Sequence, residues 1–63
     1  MSYRVIKDTP LSNGYILKKG TVVKNLYGFS DELGEHCTVF EIPGQIKPLI
    51  LEDILINHYL EAI

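Results

Sequence analysis

Cys37 and His36 are adjacent in the chain, and a thiol beside an imidazole is the pairing that nucleophilic catalysis exploits. The residues around them, Glu35 to Ile42, read as a strand. Neighbours on a strand point to opposite faces, so these two cannot form a dyad within it. Cys37 is expected as a small buried strand residue and His36 as a surface or edge residue. His58 can approach them only through the tertiary fold. A metal ion needs three or four ligands, and His36, Cys37 and His58 lack any zinc spacing. Two carboxylate pairs, Asp31-Glu32 and Glu52-Asp53, have the chemistry for acid–base work. Both flank a turn or a helix start, where capping accounts for them. Gly28 and Gly34 form neither a phosphate loop nor a dinucleotide fingerprint. The expectation is a protein that is not an enzyme and that holds no metal and no cofactor.

Binding chemistry has more material. Leu55, Ile56, Tyr59, Leu60 and Ile63 recur at helical spacing, with Asp53, Asn57 and Glu61 on the opposite face. Such a stripe can exceed what a small sheet covers, so Leu55, Tyr59 and Ile63 are candidates for a hydrophobic protein contact. Tyr27 and Phe29, with the 28–34 loop, are a second candidate surface, because Phe29 is a large aromatic between glycines. The alternative is nucleic acid. Arg4, Lys7, Lys18, Lys19 and Lys24 are interleaved with Tyr3, Tyr15 and Tyr27. Lysines can track phosphates while tyrosines stack on bases. Tyr15, Lys18, Lys19, Lys24 and Tyr27 would carry that function, provided the basic side chains share one face and the acidic half leaves them unneutralised.

The elements that must position these residues are mostly strands. Residues 3–8 read as a first short strand, followed by a Thr9 to Gly14 loop in which Asn13-Gly14 suits positive φ. Tyr15-Ile16-Leu17 is a brief apolar run, and Lys18-Lys19-Gly20 turns the chain. Residues 21–27 are rich in β-branched and aromatic side chains and predict a second strand. Its alternation puts Val22, Lys24 and Leu26 on one side and Val23 and Tyr27 on the other. Gly28 to Gly34 is expected as a loop in which Ser30-Asp31-Glu32 makes one capped turn. The third strand, 35–42, places Cys37 and Val39 on one face and His36, Thr38, Phe40 and Ile42 on the other. Pro43-Gly44 predicts a type II turn. Residues 46–51 return as a fourth strand, at an edge or bulged because Pro48 lacks a donor. The period then changes, predicting a C-terminal helix from about 53 to 62. A closing strand is its competitor, since Ile54 and Ile56 are β-branched.

The pieces sum to one small domain, 1–63, mainly β in the α+β sense. It is a strongly curved antiparallel sheet or partly open barrel with a C-terminal helix. Lys19-Gly20-Thr21-Val22-Val23, the Gly-bounded loop, Thr38-Val39-Phe40-Glu41-Ile42 and the tail Pro48 to Ile54 together resemble SH3-like small barrels of uncharacterised bacterial or phage proteins. The resemblance spans roughly residues 15–56. It implies a barrel closed by a fifth strand, where residues 54–63 look helical instead. Ligand-groove residues of eukaryotic SH3 domains have no counterpart here, as the chain has no Trp.

At 63 residues, with six basic and eight acidic side chains, the chain has room for a single core and a stability of a few kcal/mol. The net charge of −2 conceals an asymmetry: residues 1–30 carry +4 and residues 31–63 carry −6. This excludes a uniformly basic or acidic binder but not a two-faced one. A single cysteine and the lack of an apolar leader favour a cytoplasmic setting, and no run is long enough to span a membrane. Beginning with Met and ending on a helical pattern, the chain reads as a complete small gene product. The expected function is a protein-interaction module, an adaptor, inhibitor or regulator whose partner is another protein. Self-association as a homodimer would supplement the small core.

Overall fold

The computed structural model describes residues 1–11 and 14–63. Among the described residues seven strands form: β1 (Ser2–Val5), β2 (Thr9–Pro10), β3 (Ile16–Leu17), β4 (Val22–Ser30), β5 (His36–Glu41), β6 (Leu49–Glu52) and β7 (Leu60–Ala62). A 3-10 turn, Asp53–Leu55, and a single α-turn, α1 (Ile56–Tyr59), connect the last two. Five strands make one antiparallel sheet in the order β6-β5-β4-β1-β7, curled into a half-barrel. The other two, β2 and β3, pair as a separate hairpin.

The turns follow their residues. Gly44 takes φ +77° and Gln45 N–H donates to Ile42 O at 3.1 Å, as a Pro43-Gly44 type II turn requires. Lys18-Lys19-Gly20 turns the chain with Thr21 N–H on Lys18 O. Between β4 and β5 the capped turn is tighter than the expected 28–34 loop. Asp31 Oδ1 accepts from the N–H groups of both Leu33 and Glu35 at 2.9 Å, and Gly34 N–H donates to Asp31 O. Residues 28–30 therefore remain in β4, and Phe29 is a strand residue rather than a loop one. Of the expected Asn13-Gly14 corner, Gly14 has φ +83°, while Asn13 lies outside the described residues.

The core sits in the concave side of the sheet. Val5, Leu17, Val23, Phe40, Ile42, Leu49 and Leu60 are buried together, and Tyr3 meets Phe40 edge-on at 5.4 Å between ring centres. These residues come from five strands, the β2–β3 hairpin and the β5–β6 connection, so the small core ties every part of the chain.

Two expectations are corrected. Tyr27 does not share a face with Val23. The register moves from Asn25↔Phe40 to Tyr27↔Val39, so Leu26 is an extra residue in β4. Such a bulge resets the alternation and bends the strand. Leu26 and Tyr27 both turn outward, and Tyr27 is 61% exposed. The second correction concerns the C-terminus. The helical segment is there but ends at Tyr59, and the backbone is extended at Leu60 with φ −130° and ψ 152°. Residues 60–62 instead pair with β1, and Ile63 N–H donates to Ser2 O. One more helical turn would have gained few hydrogen bonds, whereas a strand satisfies the free side of β1 and buries Leu60 beside Val5. Both C-terminal alternatives are thus realised in succession.

Candidate functional site

Ile63 leaves the group it was expected to join. It follows β7 and is half exposed, while Leu55 and Tyr59 stay together on the turn that leads away from β6. These two help to line a cleft of about 430 Å³. Its lining draws on Lys47, Pro48, Leu49, Ile50 and Leu51, the run leading into and along β6, on Thr9, Pro10 and Leu11 of the β2 segment, and on Ile42 and Gln45, which flank the Pro43-Gly44 turn. Tyr59 is held from outside the cleft by the Lys7 ammonium, 5.0 Å from its ring centre. The lining is mainly apolar, and Lys47 is its one charged residue. No salt bridge engages Lys47 among the described residues.

Tyr27 and Phe29 do come together, on the convex face. Their direct partners across the β4–β5 ladder are Val39 and Cys37, and Ile50 lies beyond Val39 on β6. Tyr27 and Ile50 are both more than half exposed, while Val39 and Cys37 beneath them are buried. The convex patch is a small apolar surface separate from the cleft, which it meets at Ile50.

The basic residues do not collect on one open face. Arg4 Nη1 pairs with Glu61 Oε1 at 3.0 Å. Lys24 stands opposite Glu41 in the ladder. Lys7 lies over Tyr59. Lys18 and Lys19 occupy the turn before β4, where Lys19 N–H donates to Asp8 Oδ1. Tyr15 precedes β3 and is partly exposed. Strand pairing thus sets Lys24 opposite Glu41 and Arg4 beside Glu61, interleaving part of the charge asymmetry of the sequence.

A polar cluster went unread in the sequence. His36 Nδ1 and Asp53 Oδ2 are 2.6 Å apart, and Thr38 Oγ1 donates to Asp53 Oδ1 at 2.6 Å. The Thr38 hydroxyl, more than the His36 ring, holds the Asp53 carboxyl below its ordinary value, against partial desolvation. Gly28 makes room for the imidazole: a Cβ there would meet His36 Cε1 at 3.1 Å. The cluster fastens the first residue after β6 to β5 and so fixes the turn that carries Leu55. His36 and Thr38 share a face by alternation, which was visible in the sequence, but the partner 15 residues further on was not.

The one hydroxyl of the cluster, Thr38, donates to the Asp53 carboxylate rather than to the His36 ring. Ser30 stands opposite His36 in the ladder, and among the described residues its side chain makes no hydrogen bond. Cys37 lies on the other face, and burial, then Asp31, Glu52, Asp53 and Glu35, push its thiol pKa up, away from the reactive thiolate. Among the described residues no group of three or more His, Cys, Asp or Glu side chains converges as a metal site. No helix among them is long and apolar enough to cross a membrane. Searches of protein-family models, of curated proteins and of solved structures return no match for this chain.

Proposed function

We propose that this chain is a non-enzymatic protein-interaction module, an adaptor or regulator, and that its docking site is the cleft between β2 and β6. The observation that carries the reading is the cleft itself. It is an apolar opening of about 430 Å³ in a 63-residue domain, and side chains that could complete the core remain partly open to water there. Concave, mainly apolar sites with a few polar groups are the usual form of a binding pocket. Leu55 and Tyr59 carry the contact, and the convex patch of Tyr27 and Phe29 is a lesser surface. The SH3-like resemblance supports the same reading. The curled antiparallel half-barrel is compatible with it, and Leu60–Ala62 adds a fifth strand against β1. A cytoplasmic setting fits the single thiol of Cys37.

A photo-crosslinking amino acid placed at Leu55, in cells expressing the chain, tests the docking site. The control carries it at Leu33, on the β4–β5 turn and almost fully exposed. Discrete protein adducts from position 55 and none from position 33 are expected. Equal labelling from both positions, or labelling from 33 alone, contradicts the reading.

A further inference from the structure

The cleft has a direction, and that direction names the kind of occupant. Successive residues of a strand point to opposite faces. Leu49 and Leu51 belong to the concave face, against the core, while Ile50 belongs to the convex one. Yet all three line the cleft, together with Pro48 and Lys47. A cavity over one face of a strand meets mainly alternate side chains, and lining by three successive residues of a terminal strand fits a cleft that reaches the edge of β6.

That edge is open. β6 is the terminal strand of its sheet. Leu49, Ile50 and Leu51 make no backbone hydrogen bond outside the β5 ladder among the described residues. In an antiparallel strand alternate residues turn their N–H and C=O groups away from the neighbour, so β6 presents main-chain donors and acceptors to the cleft. The β2 segment does not offer the same. Leu11 N–H is committed to Tyr15 O on the hairpin side, and Pro10 has no N–H to give. The geometry is a half-barrel whose terminal strand β6 borders the cleft, with the β2 segment also in the lining.

The charge narrows the occupant further. Lys47 belongs to the lining, with no acidic residue there to match it. Lysine and proline before an exposed strand discourage indiscriminate edge pairing. The same lysine rewards a segment that brings a carboxylate. We infer that the cleft takes an extended peptide segment of a partner protein, which adds to the edge of β6 as a further strand. Alternate apolar side chains of that segment fill the space against Leu55 and Tyr59, and one Asp or Glu meets Lys47. Strand addition is an established mode of peptide recognition, with main-chain bonds giving affinity and pockets giving selectivity. The inference rests on the cleft being a protein-docking site and specifies how it docks.

A display library of random nine-residue peptides, selected on the full chain, tests it. The expected consensus alternates apolar residues and carries one Asp or Glu toward one end. For a synthetic peptide of that sequence, Lys47→Glu should weaken binding more than tenfold, and a peptide with Lys in place of the acid should regain it on that variant. N-methylation of the peptide backbone at one alternate set of residues should abolish binding, and at the other set should leave it. Circular dichroism confirms that each protein variant is folded. If binding is lost with Leu55→Lys but tolerates N-methylation of either set, strand addition is wrong and the docking cleft stands. Selection that enriches no peptide, or only peptides indifferent to Lys47→Glu, overturns the inference. The crosslinks from Leu55 then decide separately whether the cleft docks a protein at all. A dimer of the chain alone, seen by sedimentation and dissolved by Lys47→Glu, would make the occupant a second copy and overturn the assignment to a partner segment.

Discussion

The sheet has two edges, and they are built in opposite ways. At one end β7 is three residues long, and Glu61 at its centre pairs with Arg4 of β1. Its only buried side chain, Leu60, points into the core. Brevity and charge are the usual means by which an edge is kept from pairing with other chains. At the other end β6 has the run Leu-Ile-Leu-Glu, borders an apolar cleft, and has its single cation ahead of it rather than within it. In a domain this small, leaving apolar surface open at β6 costs stability that the core can scarcely spare. The contrast is that β7 completes the free side of β1, whereas β6 leaves apolar surface open; under the proposed function β6 is the edge that serves contact.

The largest effect is expected where the closing edge is broken. Leu60→Ala removes the one β7 side chain in the core, and a buried Leu→Ala change costs about 2–5 kcal/mol. Against a stability of only a few kcal/mol, about what so small a core supplies, most of the chain should be unfolded at 25 °C, which urea titration followed by circular dichroism would measure. Retention of a wild-type midpoint would show that β7 contributes nothing to closure.

The second effect lies where β6 hands over to the Leu55 turn. Asp53→Asn weakens the link to His36 and Thr38 and should lower Tm at pH 7. Because the Asp53 pKa is depressed in the folded chain, its contribution is present above the ordinary value near 3.8. It is lost as pH falls through the lower folded value. Wild type should therefore lose stability on acidification below about 3.8 more steeply than Asp53→Asn. Parallel acid limbs for the two proteins would mean that the carboxylate does not anchor the turn.

Two surface changes sharpen the comparison with small effects on folding. Arg4→Ala at the β7 edge removes an exposed ion pair worth about 0.2–1 kcal/mol, and its effect should fade as salt is raised. Lys47→Glu at the β6 edge should leave stability within about 0.5 kcal/mol while changing what the cleft binds. Equal effects of Arg4→Ala and Lys47→Glu on peptide binding would erase the distinction between the edges.

The strands were legible because their chemistry is local. Val22-Val23, Thr38 to Ile42 and the Pro43-Gly44 turn announce themselves through β-branched residues and through positive φ at a glycine. The bulge at Leu26 carries no such mark. Neither Gly nor Pro lies between Thr21 and Tyr27, so strict alternation misplaced Tyr27. The end of α1 was hidden for a different reason. Leu55, Ile56, Tyr59 and Leu60 fit a helical stripe, and the same spacing serves one turn followed by a strand. Only the free side of β1, almost the whole chain away, decides between them. Of the candidate site, Leu55 and Tyr59 could be named from their pattern. The segment from Thr9 to Leu11 could not, because nothing in its own sequence says that it shares a lining with β6. The His36–Asp53 pair was equally unreadable at a separation of 17 residues.

The central claim is that β6, and not β7 or the convex face, is where this protein meets its partner. Backbone amide shifts in NMR, followed while a library-selected peptide is titrated into the isotope-labelled chain, test it most directly. The account predicts perturbation at Leu49 to Leu51, Leu55 and Tyr59, with slowed amide exchange at alternate residues of β6 and no change at Glu61 and Ala62. Shifts confined to Tyr27, Phe29 and Val39, or centred on Glu61 and Ala62, would contradict it.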